Sequence, residues 1–91
     1  MSHPLVVNCR KQTYDVFIGR PGKWGNPFII GKNGSREVVI RLHREWLLNN
    51  SELLKDIEEL RGKRLGCFCS PKSCHGNTLA ELANPEGLLL L

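Results

Sequence analysis

The stretch RLGCFCSPKSCHGNTLAEL, residues 64–82, constrains the chain most, because it reads as a short strand turning directly into a helix. Alternation along that strand, 65–69, points Leu65, Cys67 and Cys69 to one face and Gly66, Phe68 and Ser70 to the other. Ser70-Pro71-Lys72-Ser73 forms a tight turn, and a helix is expected from about Cys74. Three of the four cysteines and one of the three histidines fall within positions 67–75. This concentration marks where a site is expected without naming a reaction.

Length sets the scale around that segment. A chain of 91 residues is expected to form one domain, 1–91, in which every apolar element must contribute to the core. No stretch approaches the roughly 20 apolar residues of a membrane span, and the four terminal leucines, 88–91, are far too few. The N-terminus, MSHPLVVNCRK, lacks a charged segment followed by a long apolar run, so a cytoplasmic setting is expected. In a reducing compartment clustered cysteines more often mean metal or reactivity than a disulfide frame. All four are therefore read as thiols or thiolates.

The remaining elements follow in order. Leu5-Val6-Val7 reads as a first strand, and Tyr14 to Ile18 (YDVFI) as a second. Phe28-Ile29-Ile30 reads as a short third. Ser35 caps a helix running to about Leu48, with Val39, Leu42 and Trp46 as its core stripe and Val38 and Leu47 widening it. On that pattern His43 is an exposed polar residue. Ser51 caps a second helix, 52–60, whose buried face is Leu53, Leu54, Ile57 and Leu60. The order β-β-β-α-α-β-α makes an α/β fold with a short sheet of about four strands and about three helices, and 85–91 as a tail.

One loop does not fit a mere connection. Residues 19–28, GRPGKWGNPF, hold three glycines and two prolines, which exclude regular structure. Yet the same loop carries Trp24 and Phe28 beside Arg20 and Lys23. A flat aromatic face with cations on a Gly/Pro-fixed path makes a ligand wall, with stacking for a base and charge for phosphate. The plainer alternative has Trp24 in the core and the cations in water. Net charge is +4 with pI ≈ 9.1, and the basic excess falls in the first half. Residues 1–45 hold eight Lys/Arg against three Asp/Glu, whereas 46–91 hold five against six. A basic half attracts phosphates or nucleic acid, unless it is ordinary solvated surface.

For the cysteine segment itself, several chemistries compete. Cys67, Cys69, Cys74 and His75 offer three thiolates and an imidazole, a donor set that suits tetrahedral zinc, although adjacent Cys74 and His75 reach one ion only with strain. Cys74 near a helix N-terminus is alternatively a nucleophile or redox thiol, with His75 beside it, because amide donors there favour thiolate. A strand ending into a helix N-terminus is also an anion cradle. In that pocket reading His75, Asn77 and Thr78 hydrogen-bond a ligand, no cofactor is needed, and the cysteines pack beneath. A purely structural cluster of small thiols is the remaining possibility.

The two motifs together, IGRPGKWGNPF at 18–28 and RGKRLGCFCSPKSCHGNTLAELAN at 61–84, resemble one bacterial and phage family, domain of unknown function 4326. The match runs from Tyr14 to Asn84. It covers Gly19, Arg20, Pro21, Trp24, Gly25, Asn26, Pro27 and Phe28, then Leu65, Cys67, Cys69, Pro71, Cys74, His75 and Leu79. Asn77 departs from it, standing where the family pattern carries Asp, so an acid or base role there is lost while hydrogen bonding remains. The resemblance implies a site without assigning an activity. The expectation is a pocket between the 20–28 loop and the 69–75 turn. It would use Arg20, Lys23, Trp24, Asn26, Cys69, Cys74, His75 and Asn77 to hold an anionic nucleotide or nucleic-acid phosphate. An enzyme built on Cys74 and a zinc-stabilised interaction module are the rivals.

Overall fold

The computed structural model describes residues 3–85, so the leucine tail lies outside the described residues. Three short strands, β1 (Val6–Asn8), β2 (Val16–Phe17) and β3 (Leu65–Cys67), form a sheet in the order β1-β3-β2. Both pairings are parallel, with Val6 opposite Leu65 and Val16 also opposite Leu65. The helices are α1 (Arg36–Leu48), α2 (Ser51–Lys55) and α3 (His75–Ala83), with a 3-10 helix at Ile57–Leu60.

Among the described residues the sheet has three strands, not about four. Phe28-Ile29-Ile30 makes one isolated bridge, Ile30 to Gly34. Its β-forming side chains find no neighbouring strand edge, and propensity without a partner does not make a strand. The second helix also departs from expectation, breaking after Lys55 and resuming as the 3-10 helix. Asn50, rather than Ser51, caps it, accepting from the Leu53 amide at 3.2 Å.

Local chemistry explains the other boundaries. Ser35 Oγ accepts from the Val38 amide and opens α1. Cys74 Sγ accepts from the Gly76 amide at 3.3 Å and opens α3, a cap position that oxygen side chains usually fill. Asn84 closes α3 by donating to the Ala80 carbonyl and accepting from the Gly62 amide. The core gathers Val6, Ile18, Trp24, Leu47, Leu60, Leu65, Cys67, Cys74 and Leu79; α3 lies against β1 and β3, and α1 and the 3-10 helix pack on α3.

His43 corrects the reading of α1. It is 0% exposed and lies i+4 from Val39 and i−4 from Leu47, both buried. The inward stripe is Val39, His43 and Leu47, while Leu42 and Trp46 are only half-buried flanks. Both His43 ring nitrogens are buried without a hydrogen-bond partner among the described residues.

Candidate functional site

The 20–28 loop is fixed from within and from α1. The Arg20 guanidinium donates to the Asn26 carbonyl at 3.0 Å. Asn26 Nδ2 donates to the Val39 carbonyl at 3.2 Å, and its Oδ1 accepts from the Phe28 amide at 2.9 Å. Gly25 is required by close approach, because a Cβ there would meet the Arg20 backbone nitrogen at 2.9 Å. The opposing turn is tied to β1, where Asn8 Nδ2 donates to the Ser70 carbonyl and Ser70 Oγ to the Val6 carbonyl.

Between loop, turn and α1 opens a cleft of about 280 Å³. Arg20, Asn26, Cys69, Cys74 and His75 all line it, as does Cys67. Three expected members do not. Lys23 pairs with Asp56 and Glu59, each at 3.0 Å, which carries its charge to the 3-10 helix. Trp24 is 4% exposed and belongs to the core. Asn77 lies outside the cleft and accepts from the His3 amide at 3.0 Å. Asn26 is there, but its amide group is already engaged in holding the loop.

Other residues complete the lining. Arg36 donates to the Ser73 carbonyl at 3.1 Å and so reaches from α1 to the turn. Phe28, Ile29, Ile30, Val39, Ile40 and Phe68 supply an apolar wall. Arg36 carried a signal that sequence reasoning passed over. A cation in the first turn of a helix opposes the dipole there, which hints at a task elsewhere.

The titratable groups separate into two pairs. Cys67 Sγ and Cys74 Sγ lie 3.5 Å apart. The contact with Cys74, and then the Ser70 and Cys69 amides, hold Cys67 below the ordinary thiol value against burial. Cys74 is pushed up, first by keeping the shared proton and then by burial. A sulfur that two amides reach holds negative charge more readily than one with a single amide, so Cys67 is the more acidic thiol of the pair. That weighs against Cys74 as the nucleophile.

The imidazoles form the second pair. His75 Nε2 faces the Ile18 carbonyl at 2.7 Å; since a carbonyl only accepts, that nitrogen carries the proton. Burial lowers His75, with the Ile18 and Trp24 carbonyls opposing and the Arg20 charge reinforcing. The His43 ring lies edge-on to it, centroids 5.0 Å apart. Burial, reinforced by His75, pulls His43 down to about 3. Both rings are neutral near pH 7. Among the described residues no group of three or more His, Cys, Asp or Glu is arranged to hold a metal ion, and His75 already directs one nitrogen to Ile18.

A family model described as a domain of unknown function (DUF4326) matches residues 7–85. An uncharacterized 12.4 kDa protein in the nrdA-td intergenic region of Enterobacteria phage T4 is 44% identical over 84 residues, spanning 87% of this chain and 76% of that protein. An uncharacterized protein of Acanthamoeba polyphaga mimivirus is 33% identical over 106 residues, spanning 90% of this chain and 81% of its own. No solved structure matches at a significant level.

Proposed function

The chain belongs to the DUF4326 family, a domain of unknown function present in phage, and we propose that its cleft binds a phosphate-bearing, nucleotide-like ligand. The observation that carries this reading is the meeting of two guanidiniums, Arg20 and Arg36, with an aromatic and aliphatic wall in one cleft. Guanidinium recognises phosphate through paired donors, and the apolar wall with Phe28 and Phe68 suits a base. At about 280 Å³ the cleft sits just under the ~300–1,000 Å³ typical of small-molecule sites. That size fits one nucleotide unit rather than a dinucleotide cofactor.

Neutral His75 would offer a hydrogen bond without charge, leaving the phosphate to the arginines. A dithiol reading has support from the 3.5 Å sulfur separation and the lowered Cys67 thiol. It ranks second because both sulfurs belong to buried residues.

Calorimetric titration with thymidine monophosphate, beside inorganic phosphate, tests the cleft. Saturable binding is expected, weakened about tenfold or more in Arg36→Ala, since a hydrogen bond to a charged group contributes about 1.5–3 kcal/mol. Absence of saturable binding, or an unchanged affinity in both Arg36→Ala and Arg20→Ala, would overturn it.

A further inference from the structure

Parallel sheets normally have both faces covered, because crossover helices lie on each. Here the crossover from β2 to β3 carries all the helical elements between them, but the link from β1 to β2 is only residues 9–15, with no helix. The sheet face away from α3 is therefore covered differently. Tyr14 lies over β3, where a Cβ on Gly66 would meet its ring at 2.6 Å. Phe17 follows, its centroid 6.2 Å from Tyr14, and Phe68 stands 5.6 Å beyond Phe17. Phe68 is 55% exposed and Tyr14 43%. Three rings in sequence thus form a strip that is open to solvent at both ends.

Two further observations say what fits the strip. It carries a cation at each end. The Arg10 guanidinium stands 4.9 Å over the Phe68 ring, and the Arg64 guanidinium donates to Thr13 O and Oγ1 beside Tyr14. The nearby carboxylate, Asp15, accepts from the Arg64 amide. The strip is also continuous with the cleft, because Phe68 lines both. A hydrophobic protein partner would leave those cations unanswered, and a second copy of the chain would bring the same charges to the same face.

We infer that the strip extends the cleft into a track for single-stranded nucleic acid, with bases stacking on Phe68 and Tyr14 and phosphates meeting Arg10 and Arg64. Stacking on exposed rings flanked by cations accepts any base, since every base has a π face. A duplex hides those faces, so the track selects unpaired strands. The inference rests on the nucleotide reading of the cleft and names its natural substrate class, a strand rather than a free nucleotide.

The test is fluorescence anisotropy of a labelled oligothymidylate with the full chain, run beside the thymidine monophosphate titration. The strand should bind more tightly than the mononucleotide and weaken steeply as salt rises. Tyr14→Leu, which keeps Gly66 covered, should lower strand affinity about tenfold and leave mononucleotide affinity unchanged. Tyr14→Phe should restore the strand affinity. Strand binding that is no tighter than mononucleotide binding, or that Tyr14→Leu does not affect, overturns the track and spares the cleft. Absence of mononucleotide binding in the parent chain overturns the cleft reading itself. Sedimentation as a stable dimer that Tyr14→Leu dissociates overturns the track by assigning the strip to self-association.

Discussion

Replacing His43 with leucine should make the protein more resistant to acid. The ring is fully buried in α1, has no hydrogen-bond partner on either nitrogen among the described residues, and faces a second imidazole 5.0 Å away. Its folded pKa of about 3 lies far below the ordinary imidazole value of 6.5. Above pH 6.5 the ring is neutral in both folded and unfolded chains, and its titration contributes nothing. As pH falls below 6.5 the unfolded chain takes up a proton that the folded one refuses. Stability then drops by about 1.4 kcal/mol per pH unit until the folded pKa is reached. At pH 5 the loss from His43 alone is about 2 kcal/mol, set against a total of about 5–15 kcal/mol for an ordinary domain. His75 shifts in the same direction and adds to the loss.

Leucine removes the His43 share of that slope. It also removes two unsatisfied buried nitrogens, each of which costs about 1–3 kcal/mol, so stability near pH 7.5 should hold or rise. Urea unfolding followed by Trp24 and Trp46 fluorescence, at pH 7.5, 6 and 5, measures both effects. The two proteins should diverge by about 2 kcal/mol between pH 7.5 and pH 5. Parallel pH dependences would refute the account. So would a uniform destabilisation by leucine, since that would mean the ring nitrogens have partners.

Arg20→Ala should lose thymidine monophosphate binding while unfolding within about 0.5 kcal/mol of the parent, as exposed side chains usually do; equal binding would return Arg20 to ordinary surface. Trp24→Ala should cost about 3–5 kcal/mol, the loss typical of a buried aromatic, and a chain that stays folded with unchanged stability would contradict the core placement. Thiolate absorbance should show one cysteine titrating below the ordinary thiol value of about 8.5, because the donors around Cys67 lower it. Cys67→Ser should abolish that step and Cys74→Ala should raise it toward the ordinary thiol value of about 8.5; no parent step below pH 8 would refute the pairing. Protein purified without chelator should carry well under one equivalent of zinc. About one equivalent, with unfolding on chelation, would restore the zinc-module reading.

The sequence was most informative where local chemistry decides structure. Leu65 and Cys67 alternate into the core as strand residues should, and Cys74 falls at the α3 cap. The Gly/Pro content of the 20–28 loop announced a fixed path, and that loop does share a cleft with His75. Long-range pairing was harder to read. Phe28-Ile29-Ile30 has the composition of a strand but no edge to join. Lys23 looked free for phosphate because Asp56 and Glu59 are more than thirty positions away in the chain. His43 was legible in principle, since Val39, His43 and Leu47 recur every four residues, but its polarity outweighed its spacing. Phe68 escaped notice because alternation places it opposite the cysteines, whereas β3 ends at Cys67 and the chain turns there.

The central position of β3 has a consequence for synthesis on the ribosome. The middle strand of the sheet is the last of the three to be translated, and Leu65 is the residue against which both Val6 and Val16 register. A nascent chain ending before it holds two strands with no edge to pair. Helices α1 and α2 emerge meanwhile with their apolar faces uncovered. Folding therefore waits for the C-terminal third, and pairing between such distant segments is slow relative to local contacts. A product truncated ahead of residue 65 would lack the sheet and, with it, the Cys67, Cys69, Cys74 and His75 side of the cleft, making it a candidate for proteolysis rather than a partly active fragment.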